Sequence, residues 1–231
     1  MKLHRILAQQ KFTLVVSLPS NDLALAGAAL AGGADAVKVH ANVWHRASGH
    51  TFGTYEQNKP FLRELIQLCG SVPVGLVPGG EEAFISAQER LELEEMGLDF
   101  FSSYLKHLPP HMMESTVLTK MPAIDSTYNT GMLESVRMSK IDVLECSVQP
   151  GEQYGLPLNY EDVLRYTRIS QLCGKPTLIP TQKAIRPDEV RHLYEAGCKA
   201  VMIGAIVMGK EPTAQDVQRT TQAFKEAILA L

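Results

Sequence analysis

A (β/α)8 barrel occupying the whole chain as one domain, residues 1–231, is the fold that this sequence predicts, and three observations predict it. Eight short apolar segments alternate with eight helical or connecting segments. The short segments are apolar on both faces, as parallel strands lying under helices must be. Three helical segments close on a glycine immediately before the next strand, at Gly70, Gly97 and Gly174. The competing arrangement, a doubly wound open sheet, needs no eighth strand and usually opens with a glycine-rich first turn. Here that turn reads LPSND.

The elements follow in order. FTLVVSL (12–18) is the first strand, and Asp22 caps the small-residue helix LALAGAALAGGA behind it. DAVKVH (35–40) is the second strand, followed by a long polar stretch. FLRELIQLCG (61–70) has the spacing of an amphipathic helix, and SVPVGLVPGG (71–80) is a strand running into a Pro/Gly loop. EEAFISAQERLELEEMG (81–97) reads as a helix, LDFFSSYL as the fourth strand, and 108–115 as a short connection. TVLTKMPAI is the fifth strand and STYNTGMLESVRMSK a helix. IDVLECSV, KPTLIPT and CKAVMIGAIVMG are the last three strands, separated by the helices NYEDVLRYTRISQLCG and RPDEVRHLYEAG. TAQDVQRTTQAFKEAILAL closes the chain as a helix.

Composition narrows the function. With 45% hydrophobic residues, the chain can bury a core without staples. A formal net charge of -3 offers no bulk attraction for a polyanion, so no nucleic-acid partner is expected. Four cysteines lie far apart with no CxxC pair, which argues against a disulfide framework or a structural zinc site. MKLHRILAQQKF has too short an apolar stretch for a signal peptide, and no apolar run reaches membrane-spanning length. A cytoplasmic protein is the expectation, with no membrane partner.

In such barrels the chemistry sits at the C-terminal ends of the strands, and that rule sorts the polar residues. Strand ends carry Ser17, Lys38 with His40, Ser102 with Ser103, Lys120, Glu145 with Ser147, and then Thr181, Gln182 and Lys183. Lys38 and His40 are two apart and share a face, as do Glu145 and Ser147. An inward ammonium is costly unless paired, and Glu145, a charge inside another apolar strand, is its natural partner. The plainer alternative is a structural ion pair, Lys38–Glu145 or Lys120–Glu145. Three ionisable strand residues in one barrel favour chemistry. Lys38 and Glu145 are candidates for a general acid/base pair or a Schiff-base lysine beside its carboxylate, with His40 or Lys120 polarising a carbonyl. Lys38 and His40 are both expected to point into the barrel mouth, with Lys38 in reach of Glu145.

Two long loops add further candidates: 41–59 with His45, Arg46 and His50, and 147–159 with Gln149, Glu152 and Tyr154. The spacing of His40, His45 and His50 matches no metal-ligand motif, so neither a metal nor a cofactor is expected. The strand ending at Gly204–Ala205 and the short helical turn after it leave backbone amides open. That is the phosphate cup that many barrels place after their last strands, with Ser17, Arg46, Thr181, Gln182 and Lys183 as further ligand-binding candidates. A merely close-packed Gly204 is the alternative.

With these residues the chain resembles the ribulose-phosphate-binding barrel superfamily: LVVSLPSNDLALAGAALAGGADAVKVH resembles the first two units of its epimerase family, and EAGCKAVMIGAIVMGKEPT that family's last strand and phosphate loop. The nearest flavour is the N-acetylmannosamine-6-phosphate 2-epimerase and thiamine-phosphate synthase type. Two departures stand out. Thr181-Gln182-Lys183 replaces the glycine-rich turn after strand seven, and VPVGLVPGG lacks the lysine that the epimerases carry there. The resemblance implies a phosphorylated ligand, and so an isomerase, epimerase or lyase of a sugar phosphate or similar metabolite. Barrels of this type commonly pair, which makes a homo-oligomer the expectation. A non-catalytic metabolite- or protein-binding barrel and a flavin-binding barrel remain alternatives.

Overall fold

The computed structural model describes residues 2–231, and each of the eight apolar segments contributes a short parallel strand. They are β1 (Thr13–Ser17), β2 (Ala36–His40), β5 (Val74–Val77), β6 (Phe100–Phe101), the split strand β7 (Thr119–Lys120) and β8 (Ala123–Ile124), β9 (Leu144–Cys146), β10 (Thr177–Pro180) and β11 (Ala200–Ile203). Between β2 and β5 lies an antiparallel hairpin, β3 (Val43–His45) with β4 (His50–Phe52). The strand order is β7-β6-β5-β2-β1-β11-β10-β9-β8. β7 and β8 are one strand interrupted at Met121–Pro122, where proline has no amide to donate. β7 pairs with β6, and β8 pairs with β9. The circuit therefore closes as an eight-stranded barrel.

The helices are α1 (Leu3–Gln9), α2 (Leu23–Ala31), α3 (Tyr55–Cys69), α4 (Ala87–Met96), α5 (Thr130–Met138), α6 (Tyr160–Cys173), α7 (Val190–Glu195), α8 (Ala205–Met208) and α9 (Ala214–Leu229). Asp22 caps α2 as its position predicts, accepting from the amides of Ala24 and Leu25. Capping boxes set two starts differently from the apolar pattern. Thr54 with Gln57 begins α3 six residues before 61 and carries Pro60 into the helix, and Ser86 with Glu89 delays α4 until Ala87. Residues 81–85, expected in that helix, form a turn instead, closed by a bridge between Gly79 and Phe84. Among the described residues, no helix is long and apolar enough to cross a membrane.

The core has two parts. An outer shell packs the helices onto the barrel. An inner plug of Val15, Ala36, Phe100, Met121, Val143, Leu178, Ala200 and Met202 fills the barrel itself. Leu3 and Leu7 of α1, a helix that the sequence reading did not anticipate, join that plug from the N-terminal end of the strands. The amide of Leu3 donates to Asp99 Oδ1 at 2.8 Å and ties α1 beneath β6. With the bottom filled, space remains at the C-terminal ends.

Candidate active site

A cavity of about 410 Å³ opens there, with Ser17, Lys38, His40, Ser102, Glu145 and Gly204 in its lining. Lys38 on β2 and Glu145 on β9 stand on opposite walls, because those strands are second and sixth around the eight-stranded circuit. Their side chains nevertheless meet, with Nζ 3.2 Å from Oε2, and both are nearly closed off from solvent at 5% and 6% exposure. Ser102 Oγ donates to the same carboxylate oxygen, and Ser147 Oγ donates to Oε1 at 2.8 Å. Three donors from three strands thus fix one carboxylate.

His40 also faces the cavity. Its ring stacks on His45 at 4.4 Å and on Phe52 at 4.6 Å between centroids, which clamps the β3–β4 hairpin onto β2. Nδ1 of His40 is buried without a hydrogen-bond partner among the described residues. Burial, helped by His45 and Lys38, holds the His40 imidazole well below the usual histidine range, so it is neutral. Burial first, then the Lys38 charge, lowers His45 to about 4. The other two histidines have separate partners: His45 Nδ1 lies 2.9 Å from Ser48 Oγ, and His50 Nδ1 lies 2.9 Å from the carbonyl of Pro19. Among the described residues, no group of three or more His, Cys, Asp or Glu is placed to hold a metal.

These depressed values have a measurable sign. The unfolded chain takes up the protons first, so stability is full above about pH 6.5 and falls as the pH drops toward about 4. In a proton NMR titration, His40 and His45 should keep neutral-form shifts at pH 5. A midpoint near 6.5 for either ring would contradict the packing described here.

The hairpin forms the roof. Asn42 enters it with a left-handed φ of 57°, which asparagine adopts more readily than most residues, and its side chain is held by distant partners: Nδ2 donates to the Pro78 carbonyl, and Oδ1 accepts from the Tyr55 amide. Arg46 at the tip lies over the Trp44 ring, 5.7 Å from its centroid, and its guanidinium rests against Gly151 in the loop after β9. The hairpin therefore crosses the mouth from one wall to the other.

At the last strand, Gly204 leads directly into α8. The amides of Val207 and Met208 bond to the Gly204 carbonyl, and those of Ala205 and Ile206 lie ahead of these first bonds, in residues that line the cavity. Gly204 is also tightly packed, since a Cβ there would sit 3.2 Å from the Ser17 carbonyl. Thr181 and Gln182 line the cavity beside it, and Gln182 Nε2 donates to the Tyr154 hydroxyl while its Oε1 accepts from the Gln149 amide.

The fold thus gathers Ser17, Lys38, His40, Arg46, Glu145, Thr181, Gln182, Gly204 and Ala205 around one cavity, and leaves out Lys120 and Lys183 together with the loop candidates His50, Gln149 and Glu152. Lys120 pairs in register with Phe101, which packs in the outer shell, while its neighbour Met121 fills the barrel plug. Alternation therefore turns Lys120 outward. Lys183 is buried outside the barrel, with Nζ donating to Gln153 Oε1 at 2.8 Å and lying 3.5 Å from Asp162 Oδ2 on α6. The chain reverses straight after β10, where the Gln182 amide bonds back to Pro180, so strand alternation no longer governs position 183. Sequence reasoning overlooked Asn42, Trp44 and Tyr104, which also line the cavity. The alternation in VWHRASGHTF, with its Ser-Gly turn, was the available signal for the hairpin.

No protein-family model and no curated protein matches this chain. Solved structures match over nearly its whole length. Thiamine phosphate pyrophosphorylase from Pyrococcus furiosus aligns with a TM-score of 0.68 and 14% identity over 96% of this chain and 98% of that one. Phosphoribosyl anthranilate isomerase from Thermus thermophilus gives 0.64 and 14% over 94% and 99%. (S)-3-O-geranylgeranylglyceryl phosphate synthase from Thermoplasma acidophilum, in complex with sn-glycerol-1-phosphate, gives 0.62 and 15% over 100% of both chains. At such identity the likeness shows the fold. It does not extend to the N-acetylmannosamine-6-phosphate 2-epimerase flavour of the two sequence ends.

Proposed function

We propose that this chain is an enzyme that isomerises, epimerises or cleaves a small phosphorylated metabolite, a sugar phosphate or close relative, at the C-terminal mouth of the barrel. The observation that carries this reading is the Lys38–Glu145 pair, drawn from opposite walls and lining an open cavity of about 410 Å³. Burying two charges costs several kcal/mol per ion before their attraction offsets it, and a purely structural pair needs no cavity above it. A pocket of this size suits a sugar-sized ligand. Glu145 would take the proton from the carbon next to a carbonyl, and Lys38 would return it or protonate the oxygen. In the lyase variant, the Lys38 amine adds to the carbonyl and expels water as an imine forms, with Glu145 carrying the protons. The phosphate would rest on the amides of Ala205 and Ile206. The phosphorylated compounds in the names of the structural neighbours support that class of ligand.

A thermal-shift screen of triose to hexose phosphates and inorganic phosphate tests the reading. A ligand at about 100 times its Kd adds about 2.7 kcal/mol, or roughly 5–10 °C for a chain of this size. No stabilisation by any member at millimolar concentration would sink it. Turnover is separated from mere binding by Glu145→Gln, which should retain ligand-induced stabilisation yet convert no substrate. Undiminished turnover in that variant would remove Glu145 from the chemistry.

A further inference from the structure

Two spans cross the barrel mouth between the same two walls at different depths. The lower is the contact of Lys38 with Glu145, from β2 to β9. The upper is Arg46, which the hairpin after β2 carries across to Gly151 in the loop after β9. A Cβ on Gly151 would meet Arg46 Nη1 at 2.8 Å and Cζ at 3.1 Å. Both spans line the same cavity, so a ligand inside it lies between them. The two cations have different partners. Lys38 is neutralised by Glu145, whereas Arg46 forms no ion pair among the described residues and holds only the Trp44 ring and the Gly151 backbone. Glu81 and Glu82 also reach the cavity lining, but they are solvated on the loop after β5 and neither pairs with Arg46.

We infer that Arg46 is a specificity-determining residue that takes a second anionic group of the ligand, a carboxylate or a phosphate. The substrate class is then a small metabolite with an anionic group at each end. This rests on the phosphorylated-ligand reading above. A guanidinium presents a planar fork of donors that matches a carboxylate or phosphate edge, and the Trp44 ring, 5.7 Å from its Cζ, helps hold it in place. The first anion belongs at Ala205–Ile206 after β11, two strands from β9. Two strand spacings are about 9–10 Å along the wall, a separation that fits the two ends of one sugar-sized molecule.

Matched probes test this: glycerol 3-phosphate against 3-phosphoglycerate, glucose 6-phosphate against 6-phosphogluconate, and fructose 6-phosphate against fructose 1,6-bisphosphate. Trp44 is the chain's single tryptophan and stacks against Arg46, so its fluorescence reports binding, with thermal shift as a second readout. In at least one pair the doubly anionic member should bind about tenfold tighter or more, and Arg46→Gln should bring that ratio below about twofold. Arg46→Lys should fall between, since a lone ammonium lacks the fork. Arg46 is exposed, so these variants should fold normally. Equal binding within every pair, or a preference that persists in Arg46→Gln, overturns the inference and leaves the phosphorylated-ligand reading standing. If no probe binds, that reading falls and the inference with it.

Discussion

Replacing Glu145 with alanine should destabilise the fold by about 3–5 kcal/mol, the cost of leaving a buried ammonium without its counter-charge. Lys38 has only 5% of its side chain exposed, and Glu145 is its one ion-pair partner among the described residues. The reverse change should cost less. In Lys38→Met the carboxylate keeps the hydroxyls of Ser102 and Ser147. A double variant, Lys38→Met with Glu145→Leu, removes both charges and should be more stable than Glu145→Ala, because buried pairs are often replaceable by apolar residues at little net cost. Urea denaturation of the four proteins measures the order. If Glu145→Ala proves as stable as the parent, then Lys38 finds water or another partner and the pair does not bind the walls together. The same variants should be inactive, since both groups are assigned to the proton transfers.

Much of this arrangement was legible in the sequence because strand alternation is local. Lys38, His40 and Glu145 sit inside runs long enough for the period of two to operate, and the structure turns all three into the barrel mouth. Where the period breaks, the reading breaks with it. Pro122 splits the fifth strand, and the inward place that a lysine was expected to fill goes to Met121. After Pro180 the chain reverses at once, so Gln182 lines the cavity while Lys183 is drawn 3.5 Å from Asp162 on α6. Contacts between distant segments were illegible for another reason. MKLHRILAQQ has an apolar pattern too short to stand as a helix in water, and its partners, including Asp99 and Phe100, are nearly a hundred residues away. The hairpin was passed over as a loop because each of its strands has only three residues; what holds it is the stack of His40, His45 and Phe52.

Gly75→Ala should cost about 1–3 kcal/mol, although it adds a single methyl group to a β-strand. Gly75 is in register with Lys38 on one side and with Phe100 on the other. A Cβ there would lie 2.1 Å from Cε2 of Phe100, so the aromatic ring already fills the space that a side chain would take. The ring has nowhere to go. It is fully buried among Val15, Met121, Val143, Leu178 and Met202, with α1 closing the plug from below. Removing the ring is the larger perturbation: Phe100→Ala should cost about 3–5 kcal/mol through lost burial and the cavity left behind. The two positions must also be coupled. In a Phe100→Leu background the smaller side chain makes room, and Gly75→Ala should then cost about 1 kcal/mol less than in the parent. Additive costs in that double-mutant cycle, measured by urea denaturation, would mean that the ring does not depend on the glycine. Because Gly75 is the register partner of Lys38, a displaced Phe100 presses on the floor of the site. Gly75→Ala should therefore also weaken phosphorylated-ligand binding, whereas the Phe100→Leu double variant should restore it.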